Sequence, residues 1–215
     1  MGFGGWPEEA LEFYEGLEAD NSKTYWTQHK SVYEDAVRRP MEELLAELAK
    51  EFGEGKIFRP YRDVRFAKDK SPYKTQIAAT LAKGGYISFG AQGLGCGSGM
   101  YMMAPDQLER YRKAIDANAS GRKVEKLVAE LRAKGIEVSA HDALKSAPRG
   151  YDKEHPRVEL LRQKGLIAWR SWPVAAWLGT AKAKDRIVEF FHAAKPLDRW
   201  LDANVGPTTM EMGRR

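Results

Sequence analysis

From the first positions of the chain, apolar residues recur three and four apart. Ala10, Phe13, Tyr14 and Leu17 follow Pro7 at the spacing of an amphipathic helix whose first turn tolerates a proline. Asp20-Asn21-Ser22 interrupts that pattern, and Ser22 is a suitable N-cap for a second helix running to about Arg38, with Trp26, His29, Tyr33 and Val37 on one stripe. Pro40 restarts or kinks it. Met41, Leu44, Leu45, Leu48 and Phe52 then hold the helical period until Gly53 and Gly55. From Ile57 the period falls to two, which predicts strands over 57–66, 75–82, 86–91 and 94–102 with a hairpin turn near Ala91-Gln92-Gly93. Further helices are predicted from Pro105 to Ala117, from a Ser120 cap to Gly135, over His155–Lys164 and over 184–193, with an added turn at Leu197–Val205. Ile136–Val138 and Leu166–Trp172 have the composition of short strands.

Helices, then consecutive strands, then helices again predict an α+β fold, a single domain with a largely antiparallel sheet and helices packed around it. The domain is expected over 1–206 and a flexible tail over 207–215. A chain of 215 residues with 43% hydrophobic and 30% charged positions has the composition of a globular protein large enough to bury its own core. Cys96 is its only cysteine, so no internal disulfide forms and a reducing, cytoplasmic setting is expected. No apolar run approaches the ~18 residues of a membrane span, and the opening Met1-Gly2-Phe3-Gly4 lacks signal-peptide character. No membrane partner is expected.

Charge changes the picture more than composition does. Residues 59–74 carry Arg59, Arg62, Arg65, Lys68, Lys70 and Lys74 against Asp63 and Asp69, a local excess of four out of a net +5 for the whole chain. A second basic stretch over 145–157 contains Lys145, Arg149, Lys153 and Arg157 around His155. Focused positive charge is the footprint of an anionic partner, although many such runs are solvated loops. Within the expected strand 57–66, Arg62 shares a face with Phe58, Pro60, Val64 and Phe66, so it needs either a carboxylate from elsewhere in the fold or a bound anion.

Gly93, Gly95, Gly97 and Gly99 alternate, which strips one face of a strand of side chains and lets a ring, a backbone or a ligand approach closely. Their spacing is not the dinucleotide-binding fingerprint, and no helix follows. Cys96, on the other face, is expected to be a small buried hydrophobe. Ser98 lacks the Gly-x-Ser-x-Gly elbow of a hydrolase nucleophile. His29, His141, His155 and His192 have no metal-ligand spacing, so neither a metal nor a cofactor is expected. His29 and His155 are candidate acid–base groups, since imidazole titrates near neutral pH.

Several of these segments together resemble the bacterial and fungal family known as domain of unknown function 2461. They are Asn21 with Trp26-Thr27-Gln28-His29-Lys30 and Tyr33, Arg59-Pro60-Tyr61-Arg62-Asp63-Val64-Arg65-Phe66, Lys68-Asp69-Lys70-Ser71-Pro72-Tyr73-Lys74-Thr75, Pro148-Arg149-Gly150-Tyr151, and His155-Pro156-Arg157 with Leu160-Leu161. The resemblance covers roughly 6–204. It implies a single-domain extent and places both basic stretches within family motifs. Where the family commonly carries a histidine after the threonine, this chain has Gln76.

The functional expectation is a basic site for an anionic ligand, bearing phosphate or carboxylate, with Arg62, Arg65, Lys68, Lys70, Lys74, Arg149 and Arg157 as the binding residues. The partner is then an anionic small molecule or single-stranded nucleic acid, the latter by stacking on Trp26, Tyr61, Phe66 and Tyr73. The alternative is an enzyme acting on a small anionic metabolite, with His29 or His155 moving a proton.

Overall fold

The computed structural model describes residues 2–210. Its first helix, α1 (Glu8–Ala19), buries the stripe of Ala10, Phe13, Tyr14 and Leu17. Ser22 caps α2 (Lys23–Val32), its Oγ accepting the Tyr25 amide at 3.1 Å. Of the two expectations at Pro40, a restart or a kink, the helix does not restart. Tyr33–Arg38 form a π-helical turn that runs directly into α3 (Arg39–Phe52). A proline ring clashes with the carbonyl four residues earlier, here that of Ala36, and the widened turn makes room for it. Gly53, at φ +79°, ends α3.

The strands are β1 (Gly55–Ile57), β2 (Gln76–Leu81), β3 (Tyr86–Gly90), β4 (Gly93–Met100), β5 (Glu137–Ser139) and β6 (Leu166–Trp172). They form one antiparallel sheet in the order β1-β2-β3-β4-β6-β5, and with the helices make an α+β fold. Gln76 pairs with Gly90 and Thr80 with Tyr86, and Val138 pairs with Ala168. The tight Ala91-Gln92 turn between β3 and β4 lies where sequence alone put it.

The expected strand 57–66 is corrected: pairing stops at Ile57, opposite Ala79, and residues 58–75 form no regular strand. Pro60 has no amide to donate, and Arg62 interrupts the face of Phe58, Pro60, Val64 and Phe66. Phe58 and Tyr61 are exposed, and Phe66 is 95% exposed.

By contacts the chain divides into two units. One holds the chain up to Cys96 together with Ser171–Phe190; the other holds Gly97–Arg170 and the chain from Phe191. In the first, α1 and α3 pack on β1–β3, and Trp6 stacks on Phe89 at 4.5 Å. In the second, α4 (Pro105–Asp116) packs on α5 (Asn118–Ala133) and on α6 (Val158–Leu161), and Tyr111 donates its hydroxyl to the Leu160 carbonyl at 3.0 Å.

Three helix expectations change. Ser120 is no cap: it lies inside α5 and donates to the Ala114 carbonyl at 2.6 Å. The helix expected over His155–Lys164 shrinks to α6, because Asp152 and His155 bond the backbone amides of Glu154 and Arg157 and so compete with helical pairing. The two C-terminal helices are one, α7 (Lys182–Asn204), which continues through Pro196 because Phe190, Phe191, Ala194, Leu197, Trp200 and Leu201 bury its stripe on both sides of the proline. Of the expected tail, Thr208 and Thr209 bond the Asp106 carboxylate, Thr208 at 2.7 Å; residues 211–215 lie outside the described chain.

Cys96 is fully buried, and burial pushes its thiol far above the ordinary range. The β4 glycines meet backbone. A side chain at Gly93 would strike the Trp172 carbonyl and one at Gly99 the Leu166 carbonyl, and both residues have positive φ. Gly95 and Gly97 are buried between them.

Candidate functional site

Residues 58–75 lack a regular strand but are not without order. The Lys74 amide donates to the Pro60 carbonyl at 2.8 Å and the Arg62 amide to that of Pro72 at 2.9 Å, with Tyr61 and Tyr73 bridged antiparallel. The result is a short two-stranded ribbon, and alternation assigns its faces. Tyr61 and Tyr73 share one face, their rings 5.4 Å apart, and Trp26 of α2 stacks on Tyr73 at 4.4 Å with the rings nearly parallel. Asn21 completes the anchor. Its Oδ1 accepts the Tyr73 amide at 3.0 Å and its Nδ2 donates to the Tyr73 carbonyl at 3.1 Å, so one side-chain amide takes the place of a neighbouring strand.

The opposite face carries Arg62 and Lys74, diagonal neighbours across the ribbon, a relation that sets Cβ atoms about 7–8 Å apart. Both line a cleft of about 670 Å³, together with Asp69, Ser71, Glu18 and Gln76, and Asn21 and Tyr73 of the anchor reach its wall as well. Arg62 donates one Nη to Asp69, which also accepts the Ser71 amide at 2.9 Å and the Ser71 hydroxyl at 2.6 Å. These donors, Arg62 foremost, hold the Asp69 carboxyl well below the usual carboxylate range. Among the described residues Asp69 is the only side-chain acceptor for the Arg62 guanidinium, so its remaining N–H groups are open to a ligand.

Lys74 is the unusual cation. Its Nζ lies 5.4 Å from the centroid of the Phe58 ring and has no carboxylate partner among the described residues. Burial first, and the nearby Arg59 second, lower its pKa. Two cations and two carboxylates thus share the cleft, but Asp69 is already matched by three donors.

The other expected binding residues stand elsewhere. Arg65 closes a bidentate pair with Asp63 at 2.9 and 2.7 Å, holding that carboxyl at about 2. Lys70 donates to the Val64 carbonyl at 3.0 Å, and Lys68 is exposed. None of the three lines the cleft. Neither does His29, whose ring stacks on Tyr25 at 4.0 Å with Nδ1 donating to the Tyr25 carbonyl at 2.9 Å.

Arg149, His155 and Arg157 belong to the second unit. Arg149 is exposed. Arg157 is 7% exposed and caps the C-terminus of α4: Nε donates to the Ile115 carbonyl at 2.6 Å, Nη2 to that of Asp116 at 2.9 Å, and Nη1 pairs with Glu125 at 3.5 Å. A side chain at Gly121 would meet Arg157 Nε at 2.6 Å, so only glycine fits there. His155 Nδ1 accepts the Arg157 amide at 3.0 Å, which puts its proton on Nε2, 3.2 Å from Asp116. Among the described residues no cluster of three His, Cys, Asp or Glu could hold a metal, and no helix is long and apolar enough to cross a membrane.

Sequence reasoning missed Glu18, Ser71 and Gln76 as cleft residues and Asn21 as the support of Tyr73. Asn21 appeared only as a motif residue, since nothing local reveals a bond to a residue 52 positions away.

Comparison with known proteins matches residues 9–200 to the family described as Conserved hypothetical protein (DUF2461). The chain belongs to that family. Its ribbon anchor (Asn21, Trp26, Tyr61, Tyr73) and its cleft cations (Arg62, Lys74) fall within the matched span. Among solved structures it is similar to the conserved hypothetical protein Pfu-178653-001 from Pyrococcus furiosus, at 15% identity and a TM-score of 0.36, covering 80% of this chain and 97% of that one. No curated protein matches.

Proposed function

We propose that this DUF2461 protein binds a small ligand bearing a phosphate or carboxylate in the ribbon cleft, with Arg62 and Lys74 as the gripping groups. The observation that carries this reading is the pair of cations on one ribbon face, one with open guanidinium donors and the other without a carboxylate partner. A planar guanidinium fork fits carboxylate and phosphate oxygens, and an ammonium adds a second, movable donor. Arg65, Lys68 and Lys70 lie off the cleft wall and play at most a steering role. A lone, buried cysteine supports a cytoplasmic setting. The cleft lends no support to histidine acid–base catalysis, since neither His29 nor His155 lines it.

Calorimetric titration with inorganic phosphate and with small carboxylates tests the reading. Arg62→Ala is expected to weaken binding at least about tenfold, the equivalent of 1.4 kcal/mol, while Lys68→Ala leaves it unchanged. The opposite pattern would overturn the small-anion site. Binding of single-stranded DNA or RNA that loses about 0.7 of its log–log salt slope with each of Lys68→Ala and Lys70→Ala would put a nucleic-acid backbone in its place.

A further inference from the structure

We propose that Lys74 is a nucleophilic amine that captures the carbonyl group of a small oxo acid whose carboxylate is held by Arg62. The inference rests on the anion-binding reading above and names the ligand class for that site. Lysine becomes a nucleophile when its surroundings disfavour the ammonium form, by desolvation or by a neighbouring cation. Both conditions hold at Lys74. The side chain is half-buried in the cleft wall and forms no ion pair with a carboxylate among the described residues; the Phe58 ring, 5.4 Å from its Nζ, favours the cation but only partly offsets this. Arg59 and Arg62 are the cations around it; Glu18 and Asp69 are the carboxylates of the cleft, and Asp69 is already engaged by Arg62 and Ser71. The other lysines of the segment differ: Lys70 donates to the Val64 carbonyl and Lys68 is exposed to water.

The diagonal placement of Arg62 and Lys74 suits a ligand whose carbonyl adjoins its carboxylate. With the carboxylate on the guanidinium fork, the neutral Nζ adds to the carbonyl carbon, forming the C–N bond as the carbonyl oxygen takes up a proton. With one more proton from solvent, the carbinolamine then expels that oxygen as water and leaves a protonated imine. Amine and carbonyl give imine and water, and no oxidant or reductant takes part. The imine withdraws electrons from the adjacent carbon, which is how lysine amines activate oxo acids.

The test uses the full chain with pyruvate and sodium cyanoborohydride near neutral pH, where the added hydride reduces any imine to a stable secondary amine. Peptide mapping by mass spectrometry locates the N-(1-carboxyethyl)lysine. It is expected at Lys74, at least about tenfold above Lys68 and Lys70 in the same digest. Labelling should fall when inorganic phosphate competes and in folded Arg62→Ala, and its rate should rise with pH at a midpoint below that of an ordinary lysine. Lys74→Arg, with its fold checked by circular dichroism, should lose the adduct. Phosphate binding without an adduct at Lys74 would overturn the nucleophile and leave the anion site standing. Labelling spread evenly over surface lysines, or indifferent to Arg62→Ala, would also overturn it. Absence of both phosphate binding and adduct would bring down the site as well.

Discussion

The two basic segments, 59–74 and 145–157, share a composition and serve opposite ends. In the first, a ribbon without enough apolar surface to form a sheet strand is pinned from one side by Asn21 and Trp26, which leaves Arg62 and Lys74 facing an open cleft. In the second, Arg157 turns inward and donates to carbonyls that α4 leaves unpaired at its end, and its amide fixes the tautomer of His155. An arginine with solvent or ligand as its remaining partner is available for binding; one surrounded by helix-terminal carbonyls is part of the framework. Both arginines stand in segments with a local excess of positive charge, four in the first and two in the second.

The most disruptive way to probe this contrast is Arg157→Ala, expected to cost about 3 kcal/mol in chemical denaturation because it leaves the buried Ile115 carbonyl and the part-buried one of Asp116 without their charged donor. Arg157→Lys should recover little, since an ammonium lacks the fork that reaches both carbonyls and Glu125. A Arg157→Ala protein of unchanged stability would erase the distinction between the segments.

Next in size is Asn21→Ala, expected to lose about 1–3 kcal/mol through its two bonds to the Tyr73 backbone, and to weaken anion binding although Asn21 carries no charge. Stability and calorimetry measured on the same preparation check whether the cleft depends on the ribbon's anchor. Arg62→Ala should do the reverse. Its pair with Asp69 is largely exposed, so unfolding free energy should change by less than about 1 kcal/mol while ligand affinity falls.

The smallest effect is acid titration of the ribbon. The folded-state pKa of Asp69 is depressed, so its contribution to stability is present above the ordinary aspartate pKa and fades as pH falls through the lowered folded value. Carboxyl-resolved NMR should find Asp69 titrating below free aspartate in the wild type and moving back toward it in Arg62→Ala. An Asp69 unmoved by that substitution would assign its shift to Ser71 instead.

How far sequence alone reached differs from element to element. Periodicity placed α1, α2 with its Ser22 cap, β3, β6 and the β3–β4 turn, because caps, glycine turns and apolar spacing are local properties of the backbone and its nearest side chains. Charge counting found the segment that carries Arg62 and Lys74, because charge density needs no fold to be visible. It misjudged 57–66 as a strand, since alternation is only half of what a strand requires; the other half is a paired edge, and after one bond from the Phe58 amide to the Ala78 carbonyl the chain no longer pairs with β2. Likewise the helix was expected to restart or kink at Pro40 and another to stop near residue 193, yet a π-helical turn and a buried stripe carry the helices past Pro40 and Pro196. The chain by itself determined where α1 and α2 begin and where positive charge gathers. Which arginine faces a cleft and which caps a helix was decided only in three dimensions, by Asn21 reaching 52 residues to Tyr73 and Arg157 reaching 42 to Ile115. The energy of such contacts depends on neighbours that the linear order keeps far apart.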